Sequence, residues 1–161
     1  MKKTDLTKNF TIEKKWEDFN GHMNVTGYLH YFNRAVVAFF EKAGFGRAGI
    51  ETERGSFFAA QQQLSYFKEA HSGTNISLTL NLFEMDKKRL HFWVTMTETE
   101  SRAPVATMES IAIYVDMDSR RSKAMPSHKQ AIFENVIIMG ANTTIPSHIG
   151  RGLSFNHKKS A

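Results

Sequence analysis

The sequence predicts one α+β domain in which a single long helix is wrapped by a strongly curved antiparallel sheet of about five strands. Three observations predict it. Residues 25–43, VTGYLHYFNRAVVAFFEKA, read as a helix whose polar members His30, Asn33, Arg34, Glu41 and Lys42 trace one narrow stripe. A helix that apolar calls for burial over most of its circumference, which a flat sheet cannot provide and a curved one can. Four later runs are rich in β-branched and aromatic residues, and the breaks between them are short enough for antiparallel hairpins. No repeat or linker divides the 161 residues.

Taken in order, residues 9–16 (FTIEKKWE) read as a short strand and DFNGHMN as a turn-rich loop. Asn24 is the expected N-cap of the long helix and Gly44 its left-handed terminator. At 1.5 Å per residue that helix is roughly 28 Å long. Residues 44–56 read as a loop. The four strand-like runs are FFAAQQQLSYFKEA, NISLTLNLFEM, RLHFWVTMTET and PVATMESIAIYVDM, broken by HSGT, DKK and ESRA. A short helix is expected over 127–135, and an irregular basic tail over 140–161. The core is expected over 9–116.

Composition excludes several classes. There is no cysteine, hence no disulfide scaffold, thiolate zinc site or cysteine nucleophile. No apolar run approaches the ~18 residues of a membrane span, and the N-terminus has no signal-peptide core, so a cytoplasmic location is expected. From Ser119 onward seven Lys and Arg face a single acid, Glu134. With no stacking or groove-entry motif beside it, that charge reads as a solvated terminus, not a nucleic-acid or lipid surface. The seven histidines form no HxxxH or HExxH pair and there is no G-x-S-x-G elbow. No metal and no dinucleotide cofactor is expected.

The segment Trp16-Glu17-Asp18-Phe19-Asn20-Gly21-His22-Met23-Asn24, with Tyr28-Leu29 and Tyr31-Phe32 one turn on, resembles the 4-hydroxybenzoyl-CoA thioesterase-like family of hot-dog proteins. The resemblance extends through the Asp86-Lys87-Lys88-Arg89 turn to about Asp116. It implies a hot-dog fold, an acyl-CoA thioester as substrate, coenzyme A as part of that substrate with no other cofactor, and a homodimer or homotetramer with sites at subunit interfaces. Some similar proteins hydrolyse betainyl-CoA.

Physical chemistry supplies a reason for the motif. A helix start offers unpaired N–H groups and about +0.5 of dipole charge, which can polarise a thioester carbonyl. The resemblance gives the N–H near Val25 that role, with Gly21 allowing close approach. Asp18, just upstream, would attack the carbonyl carbon or activate a water. Asp, Asn and Gly are also ordinary turn formers, so the segment alone leaves catalysis and turn both open. His22 could orient Asp18, bind substrate or hold the loop, and Asn24 reads first as a cap.

The resemblance sets Lys87, Lys88 and Arg89 against the phosphates of coenzyme A; a solvated hairpin tip is the plainer reading. Trp16, Phe19 and Phe58, with Phe57, are candidates for the acyl pocket or for the core, and converging rings would suit a quaternary ammonium acyl group. At least one of Gln61, Gln62 and Gln63 must point inward, as a pocket wall, an interface or a bulge. Two other readings compete. A hot-dog hydratase requires five positions from Asp to His, whereas Asp18 and His22 are four apart. A non-catalytic acyl-CoA-binding regulator usually carries an added DNA-binding segment.

Overall fold

The structure, a computed structural model, describes residues 6–155. His157, Lys158 and Lys159 of the expected basic tail lie outside the described residues. The element order is β1 (Thr7–Thr11), a 3-10 turn (Lys14–Trp16), α1 (Val25–Phe40), α2 (Arg47–Glu53), β2 (Gly55–Tyr66), β3 (Asn75–Met85), β4 (Arg89–Glu98), β5 (Pro104–Asp116) and α3 (Ser127–Gly140). The five strands form one sheet in the order β1-β3-β4-β5-β2, with every neighbouring pair antiparallel. The expected α+β architecture is therefore present.

α1 starts where the cap was expected: the Gly27 N–H donates to Asn24 Oδ1 at 2.9 Å. Gly27 is where α1 lies tightest on the preceding segment. A Cβ there would meet Met23 Cγ at 2.7 Å and Trp16 Cβ at 2.9 Å. Tyr28, Tyr31, Phe32, Ala35 and Phe39 of α1 are buried in one core with Leu78 and Leu80 of β3, Phe92, Val94 and Met96 of β4, and Met108 of β5. Each such side chain contributes about 1.5–3 kcal/mol relative to exposure.

Several boundaries differ from expectation. The first strand is Thr7–Thr11, because Lys14–Trp16 coils into a 3-10 turn where the alternation fails. α1 gives way after Phe40 to a wider turn, Glu41–Phe45, in which Gly44 takes φ 81°. The expected loop 44–56 contains α2, a seven-residue helix too short for a legible period. α3 runs on to Gly140, beyond the expected 135, carried by Phe133 and Val136 packing into the core.

The largest correction concerns burial of α1. In one chain its Val25 (60% exposed), Leu29 (37%) and Val37 (45%) remain open. They lie four or eight residues apart on one face, beside the unpaired edge strand β2, whose Phe58, Ala59, Ala60, Gln61 and Gln62 are also exposed. Exposed apolar side chains on one helix face, interrupted by Asn33 and set beside an open strand edge, suit an interaction surface.

The opposite, outer face of β4 and β5 is buried instead, so that β4 and β5 are covered on both faces. The chain beyond Gly140 is irregular, as expected, yet it is not simply solvated: Ile149 and Leu153 are buried. Of the basic residues in this half, Lys123 pairs with Asp116 at 2.8 Å and Lys129 is buried with its ammonium on the Gly44 carbonyl.

Candidate active site

A cleft of about 500 Å³ opens at the N-terminus of α1. One wall is the loop between the 3-10 turn and α1, contributing Asp18, Asn20, His22, Met23 and Asn24. The helix adds Val25 and Tyr28. The opposite wall is the end of β2 and the residues after it, Tyr66, Phe67, Lys68 and Glu69.

The loop is a built turn. The Gly21 N–H donates to the Asp18 carbonyl at 3.0 Å, and the Asp18 N–H returns to the His22 carbonyl at 3.2 Å. Gly21 takes φ 79°, a left-handed conformation that other residues adopt with strain. Its Cα side is open, with nothing within 4 Å of a hypothetical Cβ. The tip is held from outside by His71 Nδ1, 2.8 Å from the Gly21 carbonyl. The base is held by Glu17, whose carboxylate takes the Ser72 N–H at 2.6 Å and pairs with Lys14. Lys14 first, then Ser72, pulls the Glu17 carboxyl from an ordinary 4.5 to about 2.

Asp18 is a turn residue that also borders the cleft. Its Oδ1 accepts the Asn20 N–H at 2.8 Å, an Asx turn, while the side chain lines the cleft. The second carboxylate oxygen takes no hydrogen bond among the described residues. Asn24 closes the third amide of α1, and the Val25 and Thr26 N–H groups have no acceptor among the described residues. They are the orphan donors that any helix start presents.

His22 turns away from Asp18. Its Nδ1 lies 3.2 Å from the Met23 carbonyl and its Nε2 lies 4.0 Å from Glu69. Across the cleft, the Tyr28 and Tyr66 rings meet edge to face at 5.0 Å. Burial pushes both phenols up, so they are neutral at physiological pH. Lys68 is held by Glu98 at 2.6 Å, and the Tyr28 hydroxyl donates to the Lys68 carbonyl at 3.4 Å.

The structure thus brings Asp18, His22, Asn24 and Val25 together around one cleft, with Gly21 at the tip of its loop. It does not bring the aromatic candidates there. Trp16 packs against the His30 ring at 4.7 Å. Phe19 is 97% exposed, because the Asx turn at Asp18 throws it outward. Phe58 lies on the β2 edge under Arg120, 5.6 Å away. Phe57 and Gln62 line a second, smaller cavity of about 140 Å³ between α1, β2 and β5, where Gln62 meets Met108 Sδ. A bulge does fall in this stretch, between Ala59 and Gln61.

The basic turn is remote from the cleft within one chain. Arg89 pairs across β5 with Ile113, whereas Tyr66 at the cleft pairs with Ala106. Seven residues of strand separate them, about 23 Å. Arg89 itself is engaged by Asp86, through a 2.8 Å bond from Nε to Oδ2. Sequence reasoning missed Tyr66, Phe67, Lys68 and Glu69 as a wall, because the run FFAAQQQLSYFKEA reads as one strand to its end. The charged pair Lys68-Glu69 was the signal that the strand had already finished.

A five-stranded antiparallel sheet curled round one long helix, with a carboxylate cleft at the start of that helix, defines the hot-dog class. Residues 12–133 match the thioesterase-like superfamily, and the chain belongs to it. The chain is 27% identical over 140 residues to an L-carnitine dehydrogenase/betainyl-CoA thioesterase of Rhizobium meliloti, covering 87% of this chain but only 28% of that relative. Against a betainyl-CoA thioesterase of Pseudomonas aeruginosa it is 25% identical, over 94% of this chain and 95% of the other. In three dimensions it matches a Staphylococcus aureus protein solved in complex with CoA, with a TM-score of 0.86, 24% identity and coverage of 94% and 95% of the two chains. No helix among the described residues is long and apolar enough to cross a membrane.

Proposed function

We propose that the chain hydrolyses a small acyl-CoA thioester to the free acid and CoA. One observation carries this reading: Asp18 and Val25, the first residue of α1 with its amide uncapped, border the same cleft. A thioester carbonyl set against that amide gains a hydrogen bond as its oxygen becomes an anion, and one well-placed donor of this kind is typically worth ~2.7–4 kcal/mol. Asp18 either attacks the acyl carbon, expelling CoA as thiol and leaving an anhydride that water opens, or takes the proton of a water that attacks directly. Label found in the Asp18 side chain after single turnover in 18O-labelled water identifies the first route, with water opening the anhydride at the Asp18 carbonyl, and trapping of the acyl-enzyme detects that route when water opens it at the acyl carbonyl.

The acyl group we infer is small and cationic. The betainyl-CoA thioesterases among the relatives support this, as does the presence of Tyr28, Tyr66 and Phe67 in one cleft with Asp18 and Glu69. Rings and carboxylates together suit a quaternary ammonium group.

The phosphates of coenzyme A call for a second copy of the chain. The exposed β2 edge and the apolar face of α1 supply the surface for a homodimer. Antiparallel pairing of two β2 edges reverses one sheet end for end. It would carry Lys87, Lys88 and Arg89 of the partner subunit to the end where the cleft lies.

A thiol-reporter screen of the purified protein tests the reading, using betainyl, short-chain, branched and aromatic CoA esters. Turnover fastest with betainyl-CoA is the expected result. Tight CoA binding without turnover of any ester would contradict hydrolysis.

A further inference from the structure

Beyond α3 the chain returns across the outer face of β4 and β5 as an irregular strap, residues 146–155. It is anchored at its far end. The Gly150 N–H donates at 2.8 Å to Glu109 Oε1, the buried carboxylate oxygen that also meets His91 Nε2 at 2.6 Å. Arg89 Nη1 donates to the Phe155 carbonyl at 3.0 Å, with the guanidinium 4.2 Å over the Phe155 ring. Gly150 has φ 80° and lies so close to Phe83 that a Cβ would meet that ring at 3.2 Å.

The near end of the strap reaches the cleft wall. His148 Nε2 lies 2.8 Å from Thr107 Oγ1, on a residue 3% exposed and stiff at χ1. The imidazole so held stands against the Phe67 ring, with centroids 5.4 Å apart and planes at 59°. Phe67, half exposed, borders both the cleft that Asp18 lines and a hollow of about 240 Å³ lined by Thr95, Pro104, Thr107, Pro146 and His148. The Phe67 backbone is fixed, its N–H on the Val105 carbonyl at 2.9 Å. Only the rotamer of the ring is left to be set, and the hollow gives it room to fall back.

We propose that residues 146–155 brace the substrate cleft, with His148 as the positioning residue that holds the Phe67 ring forward and keeps the acyl end of the cleft narrow. The inference rests on the hydrolase reading. Removing the imidazole enlarges the hollow, lets the ring swing into it and widens the cleft toward bulkier acyl groups.

The test uses the full chain with His148→Ala, His148→Gln, Thr107→Val and Phe67→Ala, assayed on betainyl-CoA and on a bulkier aryl-CoA ester. His148→Ala is expected to raise KM for the small ester at least threefold with kcat within twofold. It should shift the ratio of kcat/KM at least fivefold toward the bulky ester. His148→Gln should recover most of that shift, and His148→Ala should add nothing in a Phe67→Ala background. Unchanged KM and selectivity in a cooperatively melting His148→Ala protein, or additive effects of the pair, would overturn the proposal. If His148→Ala does not fold, Thr107→Val, which frees the ring but keeps the strap, is read by the same criteria. Amide NMR supplies a readout independent of turnover: His148→Ala should shift Phe67, Lys68 and Glu69, and unmoved resonances there would overturn the brace. A wild type inactive on every ester would sink the hydrolase reading alone, with the brace then decided by those resonances.

Discussion

Glu17 and Ser72 are joined across the cleft's supporting loops: the Ser72 N–H donates to Glu17 Oε1 at 2.6 Å. That single bond, with Lys14 on the other carboxylate oxygen, ties the loop bearing Asp18 to the connection between β2 and β3. The carboxyl is depressed to about 2 in the folded chain. A depressed carboxyl contributes stability that is fully present above its unfolded value and is lost as pH falls through its folded value. The thermal midpoint should therefore fall between about pH 4.5 and 2. Glu17→Gln should melt lower at neutral pH and show a shallower decline across that window. Parallel melting curves for the two proteins would contradict this role.

Gly27 is expected to tolerate no side chain. Gly27→Ala places a methyl against Met23 and Trp16 at distances real Cβ atoms do not adopt. Overpacking of this kind costs about 1–3 kcal/mol, readable as a lowered midpoint in chemical denaturation.

The Asn24 cap makes a separate prediction. Asn24→Ala removes the side-chain acceptor of the Gly27 N–H, leaving only the Asn24 carbonyl at 3.0 Å, and should cost about 1 kcal/mol of stability. Because the cap also orients the first turn of α1, kcat should fall more than KM rises. A loss of stability with unchanged kcat would leave Asn24 as a cap only.

The exposed face of α1 and the β2 edge should hold two chains together. Val37→Asp or Phe58→Asp is expected to give a monomer by size exclusion with light scattering, with loss of activity on CoA esters. Lys88→Ala should raise KM for the CoA ester more than it lowers kcat, and should leave a truncated pantetheine thioester unaffected. A fully active monomer would contradict a shared site.

Much of this was legible in the residues themselves. The Asn24 cap, Gly44 in a left-handed turn and the hairpin breaks are local signals, and local signals survive folding. The Asp18 loop was legible as a turn, and the structure shows that turn at the edge of a cleft. α2 was not legible, because seven residues carry too little periodicity. Phe19 and Phe58 misled because an aromatic side chain has no direction until the backbone does, and the Asx turn and the strand edge send them outward. The strap could not be read at all. Its anchors are single hydrogen bonds shared with Thr107, accepted by Glu109 and donated by Arg89, forty or more residues away in the chain. The distance between the Arg89 turn and the cleft depends on strand register, which hydrophobic pattern alone does not reveal.

Asp18→Asn tests the central claim most directly. The substitution keeps an acceptor for the Asn20 N–H, so the turn and the melting midpoint should be retained while the carboxylate charge is lost. Turnover of the best CoA ester is expected to fall by a factor on the order of 10² to 10⁴. Hydrolysis by a folded Asp18→Asn protein at the wild-type rate would contradict the account.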